Sequence, residues 1–221
     1  MKLFTVAPSF AKSIVPVLVF SVTLEFFGCG SSYPAPGVDG KKYDYVYLLV
    51  EPVTSPKLEF KDAKVSITFT IDDAAISYTL LNLTQQQLLV ESGAASIGID
   101  GNFIPARNIQ SLYSDSVHGF APILIGPRGY LQDIVIPRTH IFRNDDDEWV
   151  ETDLFSTLDS GTVAGRKLIA KNNGKEINLM LPITFGEKRK VYSFAFKVGA
   201  IKVVNPNAEI PQKQRPPAPE L

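Results

Sequence analysis

The chain is expected to be all-β, a sandwich of roughly nine short strands. Apolar and polar residues alternate with period two over much of its length. Turn-forming pairs recur about every ten residues, as in sandwiches. No window of about a dozen residues after Lys41 keeps the 3.6-residue repeat that an amphipathic helix needs. A closed barrel is the second choice, because the strands are too short and unequal to share one shear.

The elements follow in order. Tyr43, Tyr45 and Tyr47 alternate with Val46, Leu48 and Val50, as in a strand with the tyrosines on one face. Val65, Ile67, Phe69 and Ile71 take one face of the next strand, while Ser66, Thr68 and Thr70 take the other. Asp72-Asp73 supplies a turn, after which Ile76, Tyr78 and Leu80 resume the pattern. Leu88–Val90 and Ser96–Ile99 are short strands, and Gln85–Glu91 has room for one turn. Asp100-Gly101 is a hairpin turn leading into Asn102–Ile104. Leu131–Ile136 and His140–Phe142 are strands separated by Pro137, while Val163–Ala170 fits either helix or strand. Asn173-Gly174 opens the strand Glu176–Thr184, whose inward face is assigned to Ile177, Leu179, Leu181 and Ile183 rather than to that of Met180. Gly186-Glu187 then turns into Lys190–Val198, with Tyr192, Phe194, Phe196 and Val198 facing opposite to Val191, Ser193, Ala195 and Lys197.

The two ends differ from this body. Residues 1–28 carry Lys2 and Lys12, then the apolar run Ile14–Leu24, then Gly28 before Cys29, the chain's single cysteine. A basic start, a short apolar run and a small residue at the cut are the layout of a signal peptide. A membrane span takes about 20 apolar residues, and Glu25 interrupts this run. Residues 29–42 are small and turn-forming, a flexible tether. Residues 205–221, NPNAEIPQKQRPPAPEL, are proline-rich with little to bury and are expected to be a disordered tail. Its PxxP spacing is that of an SH3 ligand, but a frayed end is the ordinary reading of such a segment. The domain proper is thus placed at residues 43–204, a length that buries roughly 70% of its unfolded surface without a disulfide or metal.

The ending Phe26-Phe27-Gly28-Cys29 resembles an atypical lipobox of bacterial lipoproteins. That resemblance implies cleavage before Cys29, a diacylglyceryl group on its sulfur, and attachment to a membrane through the lipid. Gly30 stands where an aspartate would signal inner-membrane retention in well-studied lipoprotein sorting. The resemblance therefore implies a cell-envelope protein in the outer membrane. The stretch Ile76–Ile99 runs strand, Asn82-x-Thr84 corner, polar dip, strand, strand. It resembles the core repeat of immunoglobulin-like lipoprotein modules and of late-embryogenesis-abundant modules. This implies an immunoglobulin-like β-sandwich and assigns no chemistry to any residue.

Candidate sites are few. The formal charge is −1, with acids and bases interspersed, so no field attracts nucleic acid. His118 and His140 lack the spacing of a zinc pair. Asp145, Asp146, Asp147 and Glu148 form an acidic cluster without the glycine and distal glutamate of a calcium loop; it is expected to be a solvated loop anchored by Trp149. Gly93–Gly98 lacks the first glycine of a nucleophile elbow, and Gly161–Lys167 lacks the spacing of a phosphate loop. No catalytic residue, metal or cofactor is therefore assigned. The best candidate for an interaction patch is Tyr43, Tyr45 and Tyr47, whose rings give contact area at low entropy cost. The leading function is a non-catalytic lipid-anchored protein whose sandwich binds or supports another envelope protein or polymer. A small-ligand carrier or sensor is the second. An enzyme using Asp133, His140 and the 145–148 acids is the third.

Overall fold

The computed structural model describes residues 42–116, 120–155 and 163–204. In chain order the strands are β1 (Lys42–Glu51), β2 (Glu59–Lys61), β3 (Val65–Ile71), β4 (Ile76–Asn82), β5 (Leu88–Val90), β6 (Ser96–Ile99), β7 (Asn102–Asn108), β8 (Ile123–Ile125), β9 (Tyr130–Pro137), β10 (Ile141–Arg143) and β11 (Trp149–Glu151). After the single helix α1 (Val163–Lys171) come β12 (Glu176–Phe185) and β13 (Lys188–Val204). The all-β sandwich class expected from the sequence holds, with thirteen strands among the described residues rather than about nine.

Every strand pairing is antiparallel. The first sheet runs β1-β13-β12-β6, with β5 on the other half of the β12 edge and β8 beyond it. The second runs β9-β4-β3-β2. Strand β7 joins them: Asn102–Pro105 pair with β6 of the first sheet, and Ala106–Asn108 with β9 of the second. A strand that changes sheets in this way makes one corner of a sandwich. Strands β10 and β11 form a separate hairpin.

Period-two alternation places the core as expected. Val65, Ile67 and Phe69 of β3, Ile76, Tyr78 and Leu80 of β4, and Phe194 and Phe196 of β13 are all buried. On β12 the buried row is Ile177, Leu179, Leu181 and Ile183, while Met180 is only half-buried. The sheets meet through rings: Phe69 lies 4.8 Å from Phe194 and 5.0 Å from Phe196 between centroids, and Phe60 of β2 lies 5.3 Å from Phe194. These edge-on contacts suit the aromatic quadrupole.

Turn chemistry fixes the register. Asp100 and Gly101 both have positive φ, +50° and +83°, as a type I′ hairpin requires. Asp72 Oδ1 accepts the N–H groups of Ala74 and Ala75 at the β3–β4 turn. The turn between β2 and β3 also ties the sheets together. Asp62 Oδ1 accepts the backbone N–H groups of Lys64 and Val65, while Oδ2 accepts the hydroxyl of Tyr192 at 2.9 Å and Lys190 Nζ at 3.3 Å on β13. Partial burial pushes its pKa up, but these four donors outweigh it and hold the carboxyl below its usual value. The tie should therefore be fully present above about pH 4, near the unfolded value of ~3.9, and fade as pH falls through the lower folded value. In urea titrations, the stability gap between wild type and Asp62→Asn should narrow from pH 6 to about pH 3. An unchanged gap would mean that the carboxylate charge contributes nothing.

Several expectations need correction. The stretch left open at Val163–Ala170 is helical. His140 closes a 3₁₀ turn, Arg138–His140, so the strand expected there begins at Ile141. Gln85–Glu91 contains strand β5 rather than a turn throughout. Strands β2, β8 and β11 have three residues each, too short for alternation to declare itself.

Candidate functional site

The sequence-derived candidates scatter. Cys29 and His118 lie outside the described residues, as do Gly161 and Thr162 of the Gly161–Lys167 stretch. Tyr43 lies on β1, and its side chain is not among those described. Tyr47 is 6% exposed and belongs to the core, which corrects its place in an exposed patch. The tyrosine face of β1 is the inward one, continued by the buried Leu49. Burial raises the Tyr47 pKa, helped by Asp73, Tyr45, Asp72 and Asp153. Tyr45 is half-buried, packs edge-on against Phe155 at 5.7 Å, and accepts a hydrogen bond from Asn172 Nδ2 at 2.9 Å.

The residues offered for an enzyme are occupied structurally or lie apart. Asp133 is buried, its Oδ1 accepting the N–H groups of Ile109 and Ile134 and its Oδ2 the Tyr78 hydroxyl at 3.1 Å. Asp145–Glu148 form the β10–β11 loop. Asn144 organises it, with Oδ1 accepting the N–H groups of Asp146 and Glu148, and Arg143 pairs with Asp147 at 2.6 Å. Among the described residues no three His, Cys, Asp or Glu side chains converge as a metal site. Trp149 does anchor this hairpin, in a satellite cluster rather than the main core. It packs with Tyr113 against Ala75, Leu112, Ile134, Ile136 and Ile141. The guanidinium carbons of Arg107 and Arg143 lie 5.3 and 5.0 Å from its ring centre. Arg107 is buried, and its Nη1 donates to the carbonyls of Ser111 and Ser114. Burial lowers its pKa, with Arg138 adding to the effect and Asp115 opposing it. A cleft of about 410 Å³ is lined by Lys64, Thr84, Gln86, Phe185, Gly186, Glu187 and Lys188. It contains no buried core residue, so it is not the space between the sheets that a carrier would use.

The satellite cluster defines a different surface by where it stops. It covers Ile134 and Ile136 on the outer face of the second sheet and leaves the rest of that face open. Cross-strand register builds the open part in rows. One row is Glu59-Thr68-Thr79-Gln132 across β2, β3, β4 and β9. A second is Lys61-Ser66-Leu81-Tyr130, and Thr70-Ser77 begins a third that ends under the cluster at Ile134. Tyr130 is 68% exposed and Leu81 beside it 38%. Strands β3, β4 and β9 place no charged side chain here; Glu59 and Lys61 stand only at the β2 edge. The outward Ser and Thr residues of β3 were legible from alternation. The part played by β9 was not, because register between distant strands is not written in either strand alone.

No family model matches the chain, and no curated protein does. Among solved structures the chain is similar to the GAE domain of GGA2p from Saccharomyces cerevisiae, at 9% identity and a TM-score of 0.21, covering 66% of this chain and 94% of that one. A likeness of that strength says nothing about what either chain binds.

Proposed function

We propose that this chain is a non-catalytic, lipid-anchored protein of the bacterial cell envelope whose β-sandwich binds another envelope component. The anchor rests on Gly28-Cys29 at the end of an apolar run, and the outer membrane on Gly30. The binding half rests on one observation, the open outer face of β2, β3, β4 and β9 with Tyr130 standing in solvent. An exposed aromatic beside an exposed leucine on an open sheet face is surface that a partner could remove from water with gain.

Cys29→Ser removes the only thiol on which the lipid can be built. The variant should lose palmitate labelling and move from the membrane to the soluble fraction, with its circular dichroism unchanged. Its function in cells should fail, because tethering supplies local concentration rather than contacts. Undiminished labelling would discard the anchor. For the binding half, a photo-crosslinking residue at Thr79 should trap an envelope component in intact membranes. The same residue at the exposed Val191, on the outer side of the other sheet, should not. Equal trapping at both positions would discard that half.

A further inference from the structure

We infer that the open face of the second sheet is a platform for an uncharged glycan chain, with Tyr130 as the stacking residue and Ser66, Thr68, Thr79 and Gln132 as its hydrogen-bonding groups. This deepens the binding half of the proposal above and rests on it.

Three features of the face select that chemistry. First, it is neutral. Charged residues make up 20% of the chain, yet none lies on the outward side of β3, β4 or β9. An anionic or cationic partner would find no opposite charge over the centre of the patch. Second, its polar groups are available. The side chains of Ser66, Thr68, Thr70, Ser77, Thr79 and Gln132 make no hydrogen bond with any described residue. Hydroxyl and amide groups both donate and accept, as sugar hydroxyls do, so each can pair either way with a sugar. Third, an aromatic ring and an apolar neighbour sit in register with them. Tyr130 and Leu81 are directly opposed across β9 and β4, one row from Gln132 and Thr79. A ring has the flat apolar face that the C–H side of a pyranose covers, and its hydroxyl stays free for a polar contact.

The dimensions agree. Neighbouring strands lie about 4.8 Å apart and same-face residues about 6.8 Å apart along a strand. The three uncharged strands β3, β4 and β9, with two full rows and a third begun by Thr70 and Ser77, thus give a field of roughly 10 by 14 Å, enough for a short run of sugar rings. Ordinary strand propensity explains threonine at 68, 70 and 79. Strand propensity favours tyrosine at 130 as well, but it does not explain why the outward positions of β3, β4 and β9 around Tyr130 hold no charged side chain.

The test uses the full chain carrying Cys29→Ser, with soluble β-1,4-linked N-acetylglucosamine hexamer as the neutral probe and alginate as the anionic one. Titration calorimetry should show binding of the hexamer and none of alginate. Tyr130→Ala should weaken the hexamer by about tenfold, the loss of one stacking contact. Tyr130→Phe should retain most of the affinity, and Thr79→Lys should abolish it by placing an unpaired charge under the chain. Both side chains point outward, so melting temperatures should stay within a few degrees of wild type. If Tyr130→Ala fails that control, Gln132→Ala serves instead, with a smaller loss expected. No binding of the hexamer, binding unchanged by Tyr130→Ala and Thr79→Lys, or equal binding of alginate would each overturn the inference. So would self-association abolished by Tyr130→Ala, which would make the face a contact between copies. A Thr79 crosslink to an envelope protein, together with indifference to the hexamer, would end this inference and leave the broader proposal standing.

Discussion

Phe194→Ala should be among the most destabilising single substitutions in the domain, costing about 3–5 kcal/mol. Phe194 is fully buried, and its ring meets Phe69 at 4.8 Å, Phe60 at 5.3 Å and Tyr192 at 6.2 Å. These partners come from both sheets, so truncation opens a cavity where the layers are held together. Rings packed from three strands cannot collapse to fill it without breaking register, and residual cavity volume adds to the lost transfer energy. Val191→Ala, on the outer side of the same strand, should stay within about 0.5 kcal/mol of wild type. Urea denaturation checks the pair: the midpoint should fall steeply for Phe194→Ala and barely move for Val191→Ala, with similar slopes for both. Equal shifts would mean that Phe194 does not bridge the layers.

The same strand shows what was legible in advance. On β13 and β12, alternation alone separated Phe194 from Ser193 and Leu179 from Met180, because a side chain's face follows directly from its parity within a strand. Turn pairs such as Asp100-Gly101 were legible because a positive φ at two successive residues is nearly a signature of composition. Tyr47 was not. Its strand was recognised, but both faces of β1 are apolar or aromatic, so parity alone did not say which face turns inward. The burial of Leu49 and the contact of Tyr45 with Phe155 decide it, and both are tertiary. The open face was half legible. Ser66, Thr68 and Thr70 were assigned outward from the start, whereas Tyr130 joins them only through the β4–β9 register. The satellite cluster that bounds the face was legible only in its anchor, Trp149, and in the strand near Ile141; that it docks on Ile134 and Ile136 is tertiary, and β11 at three residues is too short for alternation to show.

Asn82 is where corner chemistry and stability meet, and Asn82→Asp is expected to cost as much at neutral pH as any core truncation. The residue is 0% exposed at the end of β4. Its Nδ2 donates to the carbonyls of Gln86 at 2.8 Å and Gly126 at 2.9 Å, with that of Ile125 at 3.5 Å. Its Oδ1 accepts the N–H of Thr84 at 2.9 Å and the Thr84 hydroxyl at 2.8 Å. One amide thus closes its own corner and ties it to the loop after β8. Aspartate is the same size but presents an oxygen to those carbonyls. Either it stays ionised, a buried and unpaired charge costing about 3–5 kcal/mol, or it takes up a proton and can satisfy only one of them. The folded state therefore raises the carboxyl pKa above the unfolded value of about 3.9. Protons are then bound more tightly in the folded than in the unfolded chain. The variant must lose stability as pH rises from about 4 through 7, opposite in sense to the Asp62 tie. Asn82→Ala loses the same hydrogen bonds without introducing a charge, so its penalty should be nearly independent of pH in that range. Denaturation of both variants at pH 4 and pH 7 separates the two effects. If Asn82→Asp loses no more than Asn82→Ala at pH 7, the corner has opened enough to hydrate the carboxylate, and the amide is not the clamp its geometry describes.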